Sequence, residues 1–146
     1  MGMKKLMVAG LFLVMLVGGC DEAGDKAEIE VGKPFAPASD DVVNRHGKIE
    51  NLDQFEAFFE NVQNDKKAHI RIVSYTIEGD PILHDLEYDG DVIHSFEDSR
   101  RDAYGSGETV KMKCRKIEFT PSDRQSEYNL KECNKKEYNK TVLWYE

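Results

Sequence analysis

The sequence predicts an α+β domain, one amphipathic helix packed on an antiparallel sheet of about six strands, after a signal peptide and a disordered tether. Three observations predict it. Leu52, Phe55, Phe58, Phe59 and Val62 recur at the helical period and form one apolar stripe. From His69 onward the apolar period drops to two, broken by Gly-Asp and Asp-Gly turn signals. Residues 1–19 differ in composition from everything after them. A chain of 146 residues fits one such domain plus a targeting segment and excludes a multidomain enzyme. With 28 acidic against 20 basic side chains and a formal charge of −8, it is not built to bind nucleic acid by neutralising phosphates.

Taken in order, Lys4 and Lys5 precede an uninterrupted apolar run of twelve residues, Leu6 to Val17. That suits a signal h-region and falls short of the roughly 20 residues needed to cross a bilayer. Val17-Gly18-Gly19-Cys20 follows, then an abrupt polar change at Asp21. Small residues before a cysteine resemble the lipobox of bacterial lipoproteins, where the thiol takes a diacylglyceryl group and the chain is cut before it. Cleavage is therefore expected between Gly19 and Cys20, with lipid on Cys20 anchoring the chain to the extracytoplasmic face of the cell membrane. Two acyl chains hold durably, at about 0.8 kcal/mol per buried methylene. Loss of residues 1–19 removes two lysines and no acid, taking the net charge from −8 to −10. Such a body is repelled by anionic headgroups, so lipid rather than charge must hold it there.

Residues 20–41 are rich in acids and Ala, with Gly32, Pro34 and Pro37, and read as a lipid-anchored flexible tether. Ile29–Val31 is the one stretch there able to pair as an edge strand. The domain proper is read as 42–146. Its helix is expected from Leu52 to about Asp65, with Asn51 as N-cap, Gln54 completing a capping box, and Asp53 favouring the N-terminal dipole.

Three strands follow, HIRIVSYTI (69–77), ILHDLEY (82–88) and VIHSF (92–96). A two-residue Gly79-Asp80 loop would pair Ile77 with Ile82, Tyr75 with His84 and Val73 with Leu86. A three-residue Asp89–Asp91 loop would pair Tyr88 with Val92 and His84 with Phe96. That register gathers the apolar side chains, with His84 and His94, on one face. A polar loop, 97–108, leads to VKMKCRKIEFT (110–120) and QSEYNLKEC (125–133), a hairpin with Ile117 opposite Leu130 and Phe119 opposite Tyr128. Val110, Met112 and Cys114 have the opposite parity, which predicts a bulge near Arg115. Thr141–Tyr145 is the last strand.

DVVNRHGKIEN (41–51), YTIEGDPILHDLEYDG (75–90) and DSRRDAYG (98–105) resemble a family of small lipoproteins and secreted proteins of Gram-positive spore-forming bacteria, catalogued as domain of unknown function 4362. The resemblance implies a bacterial surface location. It implies no activity, cofactor or catalytic residue.

No GxSxG elbow, HExxH helix, P-loop, GxGxxG or CxxC pair is present. With Cys20 lipidated, Cys114 and Cys133 are expected to form a disulfide in an oxidising compartment. Asp85, Glu87, Asp89 and Asp91 alternate and read as a solvated acidic face rather than a calcium loop. His46 reads as a turn residue. His84 and His94 read as packing residues, because zinc would need a third ligand and an open face. Asn139-Lys140-Thr141 matches a glycosylation sequon by pattern alone. No catalytic, metal or cofactor site is assigned. The expected function is that of a membrane-anchored, non-catalytic binding or accessory module for a protein or small-molecule ligand. A cell-envelope hydrolase or metal-dependent enzyme, and an inhibitory module docking through a sheet edge, are the alternatives.

Overall fold

The computed structural model describes residues 34–135 and 140–146. The expected signal segment, Cys20, the stretch containing Ile29–Val31 and Asn139 lie outside them. The elements, in chain order, are β1 (Val42–Arg45), β2 (Lys48–Glu50), α1 (Leu52–Gln63), β3 (Ala68–Tyr75), β4 (Pro81–Tyr88), β5 (Ile93–Asp98), β6 (Thr109–Thr120), β7 (Ser126–Cys133) and β8 (Lys140–Tyr145).

All eight strands join one sheet in the order β2-β1-β3-β4-β5-β6-β7-β8. It curls until β1 reaches β8, where the Asn44 side-chain amide donates to the Trp144 carbonyl at 3.3 Å and the Trp144 ring lies against Gly47. This overturns the expected six-stranded layer. Among the described residues the domain is mostly sheet, nearly closed into a barrel, with a single short helix filling part of its concave side. β1 and β2 were the missing strands. Their two-residue turn, His46-Gly47, has φ of 54° and 88°, the positive values a type I′ hairpin requires. β1 also runs parallel to β3, pairing Val42 with Ile72, so the sheet is not wholly antiparallel. The α1 segment supplies the crossover that such a pair needs.

The helix starts where the periodicity placed it, but not by side-chain capping. Asn51 sits in the left-handed region at φ 58°, without a cap bond to the helix. Its side-chain amide instead donates to the carbonyls of Asp41 (2.7 Å) and Ser39 (3.1 Å), pinning the chain that enters β1. Gln54 makes no capping box; its amide reaches Asp53. Phe55, Phe58 and Val62 are buried, and full burial of one such phenylalanine contributes about 2–3 kcal/mol. The Phe55 and Phe59 rings meet Tyr128 at 4.7 and 5.2 Å. With Ile70, Ile72, Leu86, Ile93, Cys114, Ile117 and Leu130 they form the main core.

Two registers differ from expectation. The β3–β4 connection is five residues, closed by the Thr76 N–H on the Asp80 carbonyl at 2.9 Å, so Tyr75 pairs with Pro81 and Ile72 with His84. Ile77, expected in the core, lies in that turn at 90% exposure. The β4–β5 connection is four residues, pairing Tyr88 with Ile93 and His84 with Glu97. Phe96 and His94 therefore point outward, opposite Asp85 and Glu87. The β6–β7 hairpin has the expected pairs, Ile117 with Leu130 and Phe119 with Tyr128. No residue is inserted near Arg115. One register runs from Cys114 to Thr120, and the change of face falls where Glu132 takes φ 54°.

A second, smaller apolar group lies on the outer face. Val43, Val73 and Leu83 are adjacent in register and buried, yet outside the main core. Leu83 pairs with Asp98, whose carboxylate holds Arg100 at 2.8 Å and Arg101 at 3.7 Å. The Arg101 guanidinium lies over Phe35, 5.4 Å from its ring centre. Residues preceding β1 are thus held against the β5–β6 loop.

Candidate functional site

Strand β5 presents opposite chemistry on its two faces because side chains alternate along it. Ser95 and Glu97 point into the barrel; His94 and Phe96 point out.

On the inner side, His84 Nε2 lies 2.7 Å from Ser95 Oγ, and both residues are buried. Glu97 Oε2 is 3.8 Å from His84 Nδ1 and is ion-paired with Lys140. Burial pushes the imidazole down to about 4, opposed by the Glu97 and Asp85 charges and assisted by Lys140. His84 is therefore neutral near pH 7, and the serine hydroxyl satisfies its Nε2. The order serine, histidine, glutamate resembles a nucleophilic triad, but its geometry does not serve one. The histidine–glutamate separation exceeds hydrogen-bond range, and a hydroxyl 3% exposed offers no approach to a substrate. This is a satisfied polar network in a barrel interior.

On the outer side, β5 and β6 frame a cleft of about 410 Å³ lined by His94, Phe96, Lys111, Lys113 and Asn134. Ser95 and Met112 supply backbone to its floor, since their side chains turn inward. Phe96 is half-buried, and Lys111 Nζ hovers 5.2 Å from its ring centre. Lys113 is positioned through its backbone: its N–H donates to Asn134 Oδ1 at 3.1 Å, and its carbonyl accepts the Asn134 N–H at 2.9 Å. Asn134 follows Cys133, and the Cys114–Cys133 disulfide fixes that corner. His94 bonds Asp89 at 2.7 Å. The Asp89 carboxyl is held well below the ordinary carboxylate range by the Val92 N–H, His94 and the Asp91 N–H. The cleft thus offers an aromatic floor, two lysines and an imidazole, and cleft volumes of this size accept small molecules.

The remaining candidates are dispersed. Asp85 is engaged by Arg71 at 2.7 and 3.1 Å, and Asp89 by His94, so the acidic row presents no shared oxygen cluster. His46 is an exposed turn residue. His84 and His94, expected on one face, lie on opposite faces. Among the described residues, no three His, Cys, Asp or Glu side chains converge as metal ligands, and no helix is long and apolar enough to cross a membrane. The cleft itself went unread in the sequence. Its signal was the period-two row of Lys111 and Lys113 beside Phe96, visible only in the correct register.

Fold and site define a small, nearly closed β-barrel domain, its β6–β7 hairpin cross-linked by a disulfide, with a cleft lined by two lysines and a phenylalanine on its outer wall. The family model for Domain of unknown function (DUF4362) matches residues 39–129, and the chain belongs to that family. No curated protein matches the chain. No solved structure matches it either.

Proposed function

We propose that this protein is a lipid-anchored, extracytoplasmic binding module whose β5–β6 cleft takes a small anionic ligand with a flat apolar body. The cleft carries the reading: Lys111 and Lys113 flank Phe96 on a chain whose formal charge is −8. The two lysines give an anion local charge partners beside an aromatic ring on an otherwise acidic chain. Phe96 supplies the stacking area and the lysines supply the charge. The lipobox-like Val17-Gly18-Gly19-Cys20 supports anchoring, and the Cys114–Cys133 disulfide supports an oxidising compartment.

Two measurements test it. Metabolic labelling with a fatty acid should mark the wild type and not Cys20→Ala; equal labelling and membrane retention of the variant refutes anchoring. In the isotope-labelled mature domain, phenyl phosphate should shift the resonances of Phe96, Lys111 and Lys113, while benzylamine should not. The Lys111→Ala/Lys113→Ala variant should lose the response. An equal response to the cationic probe refutes the ligand class.

A further inference from the structure

We propose that the loop end of the barrel carrying Ile77 and Tyr104 rests on the lipid surface in which Cys20 is anchored, an inference that stands on the anchored reading above. Ile77 and Tyr104 are the most exposed large apolar side chains among the described residues, at 90% and 80%. A single exposed isoleucine is ordinary, but here two apolar tips project from neighbouring loops. The Ala103 N–H donates to Asp80 Oδ2 at 2.9 Å, tying the β5–β6 loop to the β3–β4 turn. Both tips are built firmly. Thr76 Oγ1 accepts the Asp80 N–H at 3.1 Å, and Asp102 Oδ1 accepts the N–H groups of Tyr104 and Gly105, each at 3.0 Å.

The direction of the anchor selects the occupant. Phe35 lies beneath Arg101 of the same β5–β6 loop, so the described residues nearest in sequence to Cys20 sit at this end of the barrel. The fourteen residues between Phe35 and Cys20 reach at most about 50 Å even when fully extended. Attachment at that range keeps the membrane at high effective concentration beside these loops, so a weak apolar contact suffices. The end carries both signs of charge, Arg100 and Arg101 with Glu78, Asp80 and Asp102, so headgroup attraction is not the driving term. Insertion of an aliphatic tip and a tyrosine, a residue suited to the headgroup level, is.

The test uses the lipidated protein in vesicles of phosphatidylethanolamine and phosphatidylglycerol, with or without brominated acyl chains, its lipid verified by intact mass. Tryptophan is placed at Ile77, at Tyr104, or at Ser122 in the β6–β7 turn at the far end of β6, with wild-type Trp144 emission as the baseline. The Ile77→Trp and Tyr104→Trp emissions should shift to the blue and lose intensity with brominated chains, and Ser122→Trp should not. Lipidated protein without quenching at positions 77 and 104, or with equal quenching at all three, overturns the docked orientation while leaving anchoring intact. A blue shift without vesicles, accompanied by a doubled mass, overturns it in favour of a second copy on these loops. Absence of lipid overturns the anchored reading and this one with it.

Discussion

At the scale of single residues, two positions are made costly to change by what surrounds them. Gly47 has φ 88°, and a Cβ there would stand 2.6 Å from Trp144 Cζ3. Gly47→Ala therefore meets backbone strain and a ring that must move, and should cost about 1–3 kcal/mol in urea unfolding, with altered Trp144 emission. His84 is the second. Its folded value, about 4, lies below the ordinary 6.5 because burial disfavours the charged ring. Between those values the unfolded chain binds more protons than the folded one. Stability from this group is complete above about pH 6.5 and is lost as pH falls toward 4. Linkage makes the loss about 3 kcal/mol over that window, in urea titrations at stepped pH. His84→Gln should flatten the profile there, while other acid-sensitive carboxylates, such as Asp98 beside Arg100, act lower.

At the scale of elements, the β6–β7 hairpin and its disulfide organise one wall. Cys114 and Cys133 are opposed in register, nineteen residues apart in sequence. A loop of that length gives the bridge roughly 3 kcal/mol of stabilisation, so dithiothreitol should lower urea stability by about that amount. The same reduction should loosen Asn134, and with it the Lys113 side of the cleft, read as broadened resonances there. This hairpin was legible in the sequence because Ile117, Phe119, Tyr128 and Leu130 alternate without interruption. The earlier hairpins were not. Gly79-Asp80 looks like a two-residue loop, yet Thr76 and Asp80 close a wider turn and release Ile77. A one-residue difference in the next loop then moves Phe96 to the opposite face, since the side-chain period is two. The helix was legible from its phenylalanine stripe, but its start was not explained by it: Asn51 serves the entering chain rather than the helix. β1 and β2 were missed for a different reason. They are short, and VVNRHGKIE carries its hairpin signal only in His46-Gly47.

At the scale of the whole molecule, closure rests on unlike seams. Seven strand pairs are joined by ladders, whereas β1 meets β8 through the Asn44 side chain and the Trp144 ring. Native-state hydrogen exchange should reflect this. Amides of β3, β4 and β5, paired on both sides, should exchange at the global unfolding free energy, and those of β2 and β8 well before it. Uniform protection across all eight strands would mean a continuous ladder at the seam. How the sheet curves back on itself was not visible in the sequence, because no local period records which edges meet.

The seam also sets an order in time. Asn44 and Trp144 are separated by 100 residues, and a polypeptide leaves a ribosome or a translocation channel from its N-terminus. β1 and β2 emerge first and must wait for β8, so the growing chain spends its synthesis as an open sheet in which Asn44 and Gly47 lack Trp144. Pairing of neighbouring strands proceeds as they arrive, but joining the ends is a late, long-range event of the kind that slows folding. The domain is therefore most vulnerable to proteases and to mispairing with other chains just before its last strand is released.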